Sequence, residues 1–519
     1  MPSIVLATVN ARYAHASLGL RYLLANLGEL QSEARIAEFV HGARPIDIVE
    51  ALLKDAPRIV GLGVYIWNVE DITCVVAMLK QVAPEVTVIV GGPEVSHEMG
   101  EQRICRLADY VITGPGEVSF AKLCAQLLSG ARPLQRVVAG EQIPLDGLRL
   151  PYSLYTDEDI AKRFLYVEAS RGCPFKCEFC LSSLDKTAWP FDLDRFLGEL
   201  QSLFERGARH FRFVDRTFNL NASSSLRILE FFLDRMDERL FVHFEVVPDQ
   251  LPEKLREAIA RFPEGCLHLE IGIQTFNPEV QARISRRQDN AKAAENIAWL
   301  RQHSNALIHA DLIAGLPGED LASFGDSFDR LYAMRPHEIQ VGILKRLRGT
   351  PIARHTEAFR MRYNPDPPYN ILATDRIGFA DMQRVSRFAR YWEMVGNAGR
   401  FRRTLPVLLG ERTGEAAGVP APAVPAFGQF MHFSDWLFEG TRKTHEIALE
   451  RLFDAVLQFL VDERGIAREE AIEAVLSDFA ASGAKGRLSF MKTGTRMGGA
   501  KTPAAEHRAN VRQARHSKN

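Results

Sequence analysis

Three cysteines lie close together in a chain of 519 residues that contains seven. They are Cys173, Cys177 and Cys180, in a loop that also holds Gly172 and Pro174. Thiolates are soft ligands that suit iron–sulfur clusters. A four-iron cluster needs four ligands, and this loop supplies three, so one iron is left open to bind a substrate, as in unsaturated catalytic metal sites. The spacing predicts a redox-active iron–sulfur centre that also binds a small ligand.

A structural zinc site and three incidental cysteines are the alternatives. Zinc would need a fourth Cys or His at short spacing, and none flanks the loop. Incidental cysteines rarely follow the end of a strand in a loop that carries Gly and Pro. The odd number of cysteines and the absence of an export signal also favour reduced thiols and a cytoplasmic setting. We therefore expect an iron–sulfur cluster.

The cysteine loop directly follows an apolar strand, the first of six βα units. Apolar runs separated by amphipathic helices are typical of a parallel sheet that is covered on both faces. Six units without a closing pair predict a partial (β/α)6 TIM-type barrel, and chemistry in barrels takes place at the C-terminal ends of the strands. The six strands are predicted at Leu165–Ala169, His210–Val214, Val242–Val247, Leu267–Ile273, Ile308–Ile313 and Glu338–Ile343.

Before the barrel, a separate βα series predicts a flavodoxin-like (Rossmann-type) domain. Ligands of such sheets bind beyond the carboxyl ends of the strands, where this chain places loops rich in glycine. The five strands are predicted at Ile4–Val9, Ile36–Val40, Ile59–Tyr65, Val86–Val90 and Tyr110–Thr113. The expected class is therefore α/β, with a flavodoxin-like domain followed by the partial barrel.

After the barrel the strand pattern stops and helical patterns replace it. Helices are predicted at 375–395, 445–461 and 468–481. The stretch from residue 485 is basic and poor in large apolar residues, which indicates a disordered tail. The expected domains are 1–135, 160–355, 365–484 and the tail 485–519, with a linker at about 131–161.

Composition limits the classes of partner. Hydrophobic residues make up 46% of the chain and charged residues 25%, as in globular proteins, and the formal net charge is −1. This balance disfavours broad nucleic-acid binding. The sequence shows neither a signal peptide nor a membrane-spanning apolar run, so we expect no membrane partner. The substrate is expected to be a small molecule.

The cysteine motif, Cys-x3-Cys-x2-Cys with Phe179 before the last Cys, resembles the signature of the radical S-adenosylmethionine (SAM) superfamily. The resemblance implies that Cys173, Cys177 and Cys180 bind a 4Fe-4S cluster and that Phe179 packs near the adenine of SAM. In that family the cluster passes one electron to SAM, which yields a 5′-deoxyadenosyl radical. A one-electron reductant such as flavodoxin or ferredoxin is then implied as a partner.

Further segments resemble the family in the same order along residues 160–355. The second-strand segment of the family receives the amino group of methionine, and later strand ends contact SAM, substrate and adenine. An acidic residue of the fifth-strand segment, Glu319, is displaced by one position from the family spacing. The matching positions are Asp215, Glu245, Glu270, Gln274, Ile313 and Gly315.

A flavodoxin-like domain before such a barrel resembles the cobalamin-dependent radical SAM group. The segments of this chain that hold Gly91, Gly92, Gly114 and Glu117 resemble the cobalamin-binding loops of that group. The Asp-x-His-x-x-Gly motif, which supplies a cobalt ligand in other cobalamin enzymes, is missing, and His15 is more simply a loop residue. Many members of the group lack this motif and are thought to bind cobalamin without a protein ligand.

Methylthiotransferases are a rival group, because they carry three further cysteines for a second cluster in the first domain. This chain has Cys74, Cys105 and Cys124 there, all in predicted helices and away from strand ends. A helical cysteine is usually a small buried apolar group. A second cluster is therefore not expected.

The resulting hypothesis is a cobalamin-dependent radical SAM enzyme that methylates an unactivated carbon. Two alternatives stay open. One is a cobalamin-independent radical SAM oxidation, rearrangement or cyclisation, and the other is a non-catalytic cobalamin or SAM sensor. The complete cysteine triad disfavours the sensor.

Overall fold

The computed structural model describes residues 2–411 and 425–493. Of the predicted disordered tail 485–519, residues 494–519 lie outside the described residues. The prediction was wrong for the start of the tail, because Leu488 is buried and Ser489–Thr493 form a short 3-10 helix. Within the described part of the chain, no helix is long and apolar enough to cross a membrane. Residue contacts divide the chain into two compact units. The first unit comprises Met1–Glu245, Lys345–Arg354 and Tyr363–Asn370, and the second comprises Val246–Leu344, His355–Arg362 and Ile371–Asn519.

The first unit begins with a six-stranded parallel sheet. Its strand order is β2-β1-β3-β4-β5-β6, which is the flavodoxin-like order with one added strand. Every residue of β1 is buried, as a central parallel strand requires. The strands are β1 Ile4–Asn10, β2 Ala34–Val40, β3 Ile59–Gly63, β4 Thr87–Gly91, β5 Tyr110–Thr113 and β6 Val137–Ala139.

Helices cover both faces of this sheet and create two apolar cores. One core lies under α2, α3 and α4, and the other under α1 and α5. The helices are α1 Leu18–Ala25, α2 Pro45–Leu53, α3 Val69–Val82, α4 Arg103–Leu107 and α5 Glu117–Leu128.

The prediction of five strands was one strand short. Strand β6 lies within the predicted linker and pairs in parallel with β5 at the sheet edge. Its sequence, Val-Val-Ala, is apolar but only three residues long, which is too short a run to mark a strand, and these residues are exposed or half-buried at the sheet edge.

The first unit also contains the start of the second βα series. Strands β7 and β11 flank β10, and both pairings are parallel. A short antiparallel pair, β8 with β9, follows β7. The elements are α6 Asp157–Lys162, β7 Leu165–Val167, β8 Ser170–Arg171, β9 Trp189–Pro190, α7 Leu193–Glu205, β10 His210–Phe213, α8 Ala222–Leu233 and β11 Phe241–Val246.

The second unit continues the series. Strand β13 pairs in parallel with β12 on one side and with β14 on the other. Buried and half-buried residues alternate along β12 and β13, so each strand has one apolar and one mixed face. The elements are α9 Glu253–Ala260, β12 Leu267–Gln274, α10 Pro278–Arg283, α11 Asn290–His303, β13 Leu307–Ala314, α12 Leu321–Ala333 and β14 Glu338–Ile343.

Helices dominate the remainder. After the short strands β15 Arg362–Tyr363 and β16 Ile371–Ala373 come α13 Phe379–Val395, α14 Thr404–Leu408, α15 Ala426–Thr441, α16 Leu449–Asp462 and α17 Arg468–Ala481. Helix α13 starts later than predicted because the backbone N–H groups of Arg376 and Ile377 donate to the Thr374 hydroxyl, which holds this segment in a turn. Glu446 has a left-handed backbone, so α16 cannot start at 445. Helix α15 was not predicted.

The predicted fold class is confirmed: a Rossmann-like parallel sheet comes first, a second parallel βα series follows, and the C-terminal part is helical. The domain boundaries given above remain a proposal.

Candidate active site

The three clustered cysteines lie in the loop that follows β7. Cys173 and Cys177 are buried, and Cys180 is half-buried. Burial, together with the nearby Cys180 and Cys177 sulfurs, raises the pKa of the Cys173 thiol to about 11, although a hydrogen bond from the Phe175 backbone and the charge of Arg216 oppose the rise. The three sulfurs are therefore near enough to influence each other electrostatically, as ligands of one centre must be.

Hydrogen bonds hold the loop in shape. The hydroxyl of Ser183 donates to the carbonyl oxygens of Cys177 at 2.9 Å and of Cys180 at 2.7 Å. The backbone N–H of Cys173 donates to the carbonyl of Asp185 at 3.2 Å. Phe179 is half-buried within the same loop. The loop is thus closed on itself by contacts on both sides of the triad.

This donor set fits a cluster better than a single ion. Among the described residues, no three His, Cys, Asp or Glu side chains are arranged to hold one metal ion. In a four-iron cluster each thiolate binds its own iron, so the sulfurs need to surround a cube and not to meet at a point. Three neighbouring thiols in one buried loop fit that requirement.

Asp215, at the end of β10, holds the start of the cysteine loop. Its carboxylate oxygens accept hydrogen bonds from the N–H of Ala169 at 3.0 and 3.1 Å and from the hydroxyl of Ser170 at 2.7 Å. Burial raises the pKa of Asp215 to about 7, although these hydrogen bonds oppose the rise. In the structure Asp215 therefore positions the segment between β7 and the cysteines.

Next to it, Arg216 pairs with the predicted site residue Glu245. Arg216 Nη1 lies 2.6 Å from Glu245 Oε1, and half of the Arg216 side chain is exposed. Arg216 also lines the main cavity and acts electrostatically on Cys173. Sequence reasoning missed Arg216, although it directly follows Asp215 in the segment that resembled the family.

The main cavity of the first unit lies between the carboxyl ends of the first sheet and the cysteine loop. Its volume is about 440 Å³, within the usual range for small-molecule sites. It brings together the predicted cofactor residues Gly91, Gly92, Gly114 and Glu117, and it also reaches Gly172, next to Cys173. Eight glycines line it: Gly19, Gly61, Gly63, Gly91, Gly92, Gly114, Gly116 and Gly172.

The glycines leave backbone surface where side chains would otherwise project. Gly92 has φ of 116°, and a Cβ there would lie 2.5 Å from the carbonyl oxygen of Val64. At Gly61 a Cβ would lie 2.8 Å from the Phe120 ring. A large flat ligand such as a corrin ring can lie close to backbone of this kind. Gly114 differs, because a Cβ there would meet no atom within 4 Å, so glycine at this position leaves open space beside the backbone, which suits the predicted cobalamin.

One wall of the cavity is charged. Arg171 donates to Glu117 at 2.6 Å and to Glu168 at 2.8 Å. Burial raises the pKa of Glu168, whereas Arg171 lowers it, and the net direction is upward. Glu117 was predicted to contact a cofactor, but Glu168 and Arg171 were not predicted as site residues.

His15 serves a structural role, in agreement with the sequence reading. Its Nδ1 is hydrogen-bonded to the hydroxyl of Tyr166, and its backbone forms a bridge with Phe164. Burial lowers its pKa, with Arg212 adding to the effect. His15 therefore lies in contact with β7, and it does not line the main cavity.

The three other cysteines of the first domain are separated. Cys105 belongs to the apolar core on one face of the sheet and Cys124 to the core on the other face, while Cys74 is exposed. Burial raises the pKa of Cys105 to about 11 and that of Cys124 to about 12. Thiols on opposite faces of a sheet cannot share a cluster, which removes the basis for a second one.

The remaining predicted site residues lie in the second unit, on strands β12 and β13. Glu270 and Ile313 lie on the half-buried faces of these strands, and Gln274 ends β12 with φ of 69°. The Oε1 of Gln274 is buried without a hydrogen-bond partner. Gly315, with φ of 88°, would place a Cβ 2.5 Å from Ile371.

Glu319 is fully buried and has a structural contact. The hydroxyl of Thr275 donates to its Oε1 at 2.6 Å. Burial raises the pKa of Glu319 to about 7, which Thr275 partly opposes.

Family models match three parts of this chain. Residues 167–331 match the radical SAM superfamily, residues 4–124 match the B12 binding domain, and residues 357–506 match a protein family of unknown function, DUF4080. The chain therefore carries a radical SAM domain behind a B12-binding domain, which is the combination of the cobalamin-dependent radical SAM group. The cofactor set of that group, a 4Fe-4S cluster, SAM and cobalamin, is the set predicted from the sequence.

Individual relatives come from two groups, methyltransferases and methylthiotransferases. An uncharacterized methyltransferase of Pyrococcus horikoshii is 29% identical over 331 residues, which are 58% of this chain and 70% of the relative. Against a ribosomal protein uS12 methylthiotransferase of a Roseiflexus strain, the chain covers only 50% of the relative.

Two solved structures share the fold. The cobalamin-dependent SAM radical enzyme OxsB, with aqua-cobalamin bound, matches with a TM-score of 0.62 at 14% identity, over 93% of this chain and 81% of that one. The radical SAM methyltransferase TsrM of Kitasatospora setae, with cobalamin and a [4Fe-4S] cluster bound, matches with a TM-score of 0.60 at 16% identity, over 84% of this chain and all of that one.

Proposed function

We propose that this enzyme binds cobalamin in the main cavity of its first unit and methylates an unactivated carbon of a small molecule. The observation that carries the proposal is the composition of that cavity. Glycines from the ends of β3 and β4 and from the loop after β5 line it together with Gly172, the neighbour of Cys173. A ligand in this cavity would lie beside the cysteine loop.

The roles of the chain's own groups follow from their positions. Cys173, Cys177 and Cys180 hold the cluster, and Asp215 fixes the backbone that leads to them. Arg216 offers a half-exposed guanidinium beside the cysteines, suited to an anionic group such as the carboxylate of SAM. When bound, the cluster supplies an electron for cleavage of SAM, and cobalamin supplies a carrier for a methyl group.

The other site residues keep the roles that the family resemblance implies. Glu245, Glu270 and Gln274 would contact polar groups of SAM or substrate, and the backbone around Ile313 and Gly315 would contact adenine. A buried, unpartnered Oε1 on Gln274 is suited to accept a hydrogen bond from such a ligand.

The partners follow from the chemistry. A one-electron carrier such as flavodoxin or ferredoxin would reduce the cluster, and the substrate would be a small molecule. None of the seven cysteines, all of which are described, forms a disulfide, and this favours a cytoplasmic site of action.

The test uses the whole chain, reconstituted anaerobically with iron, sulfide and cobalamin. Donation of a methyl group converts SAM into S-adenosylhomocysteine, whereas reductive cleavage gives 5′-deoxyadenosine. We expect retained cobalamin and S-adenosylhomocysteine that forms only when cobalamin is present. No retention of cobalamin, with 5′-deoxyadenosine still formed, would refute the proposal in favour of cobalamin-independent radical chemistry.

A further inference from the structure

Arg171 connects two loops that are far apart in sequence. Its Nη1 donates to Glu117 at 2.6 Å, across 54 positions of sequence. Its Nε donates to Glu168 at 2.8 Å, three positions away. Glu117 is the first residue of α5 and directly follows the loop after β5. Arg171 lies two residues before Cys173. One guanidinium therefore links a predicted cobalamin loop to the cluster loop.

The geometry is specific to arginine. Two different N–H groups of a planar, rigid guanidinium bind two separate carboxylates, which the single ammonium of lysine cannot do in the same directions. The side chains of Glu117 and Glu168 are only 10% and 9% exposed. The Arg171 guanidinium also lies over the Tyr22 ring, at 4.4 Å from its centroid. Each carboxylate is thereby held at a fixed place in the cavity wall.

The connection to the cysteines is stiff. Gly172, between Arg171 and Cys173, has φ of 87°, and a Cβ there would lie 2.1 Å from the carbonyl oxygen of Thr187. The backbone of Gly172 is therefore packed directly against Thr187, and Gly172 alone separates Arg171 from Cys173. A displacement of Arg171 would therefore move Cys173.

We infer that Arg171 is a positioning residue that sets the separation between the cobalamin loop at Glu117 and the cluster loop at Cys173. The inference rests on the proposed function, because the separation matters only if both cofactors are bound. Arg171 touches neither SAM nor the methyl group in this account. It acts through the loops that it joins.

The contact with Glu117 distinguishes this role from a local one. If Arg171 only shaped its own loop, the contact with Glu168 would be sufficient. Loss of Arg171 would then damage the cluster, and Glu117 would have no effect on it. If Arg171 sets the separation, loss of either Arg171 or Glu117 should impair the step that needs both cofactors even in the chains that hold both.

The experiment compares wild type, Arg171→Met, Glu117→Gln and the double variant as reconstituted whole chains. Arg195→Met is the matched control, because the Arg195 guanidinium donates to the carbonyl oxygens of Asp146 and Leu148 and forms no ion pair with a carboxylate among the described residues. Iron, retained cobalamin, 5′-deoxyadenosine and cobalamin-dependent S-adenosylhomocysteine are measured on each. Electron paramagnetic resonance then records the magnetic interaction between cob(II)alamin and the reduced cluster, which depends on their separation.

In the Arg171→Met chains that hold both cofactors we expect an altered magnetic interaction, and each rate is expressed per bound cluster and cobalamin. Formation of S-adenosylhomocysteine should slow by roughly 10- to 100-fold, the scale of a small misplacement of reacting groups. Glu117→Gln should act in the same direction, and the double variant should be little worse than Arg171→Met, as expected for coupled residues.

Two results would overturn the inference while the proposed function stands. One is a wild-type rate and magnetic interaction in Arg171→Met, and the other is loss of the cluster in that variant, which would show a local structural role. A wild-type chain that forms no cobalamin-dependent S-adenosylhomocysteine overturns the proposed function, and the inference with it.

Discussion

Arg348 pairs with the buried carboxylate of Glu94 across 254 positions of sequence, with its Nε 3.0 Å from Oε1. The hydroxyl of Tyr369 donates to the same oxygen at 2.7 Å. Glu94 follows Gly91, Gly92 and a proline after β4, so this pairing fixes a loop of the main cavity. Burial raises the pKa of Glu94, whereas Tyr369 and Arg348 lower it, and the net direction is upward.

The Arg348→Met variant should destabilise the first unit, because it leaves Glu94 buried with only Tyr369 as a partner. Removal of one member of a buried ion pair costs roughly 3–5 kcal/mol. The midpoint of thermal unfolding, followed by circular dichroism, should fall. Adding Glu94→Gln should restore most of the loss, since no buried charge then remains. A double variant that is as unstable as Arg348→Met would contradict this explanation.

The Gly92→Ala variant should lose cobalamin but keep the cluster. Alanine at φ of 116° is strained, and its Cβ would clash with the carbonyl oxygen of Val64. Retained cobalamin should fall at least about tenfold, the equivalent of 1.4 kcal/mol in binding. Gly100→Ala is the control, because nothing lies within 4 Å of a Cβ there. Equal cobalamin retention in the two variants would be inconsistent with a ligand against Gly92.

The Asp215→Asn variant should reduce the amount of cluster that the chain retains. The two oxygens of Asp215 accept hydrogen bonds from the N–H of Ala169 and the hydroxyl of Ser170, whereas an amide has only one oxygen that can accept. A buried donor left without an acceptor costs about 1–3 kcal/mol. Iron content after gel filtration measures the effect. Asp194→Asn serves as the control, because Asp194 is an exposed partner of Arg227. Unchanged iron in Asp215→Asn would show that the loop does not depend on this carboxylate.

Stability should depend on pH through Glu319. Burial raises its folded pKa to about 7 from the usual 4.5. Between these values the folded chain holds the proton more tightly than the unfolded chain. The contribution of Glu319 to the free energy of unfolding is therefore full below pH 4.5 and is lost as the pH rises to about 7. At 1.36 kcal/mol per pKa unit, the loss is about 3 kcal/mol.

Glu319→Gln should remove that dependence, because the amide keeps an acceptor for Thr275 and does not ionise. Urea unfolding at pH 5 and pH 8 should show a midpoint that falls less in the variant than in wild type. The same fall in both proteins would place the pH dependence on other groups.

The sequence predicted the parts of the site that depend on local pattern. Cys173, Cys177 and Cys180 were visible by spacing, and most strands by their apolar runs. Gly92 was visible because glycine at the end of a strand marks a close approach of backbone.

The parts that depend on distant contacts were not predictable in this way. Arg171 reads as an ordinary charged residue until Glu117, 54 positions away, is placed beside it. Strand β6 was missed because its apolar run is only three residues long, and pairing with β5 is what makes it a strand. Helix α15 contains Gly428 and Gly440, which weaken the helical signal of a segment that packing stabilises.

Production of 5′-deoxyadenosine from SAM and a strong reductant tests most directly the claim that the three cysteines hold a SAM-cleaving cluster. The anaerobically reconstituted wild-type chain and Cys74→Ala, which alters an exposed cysteine of the first domain, should both form it. Cys177→Ala should form none and should lose the iron. Equal 5′-deoxyadenosine from Cys177→Ala and Cys74→Ala would contradict the account.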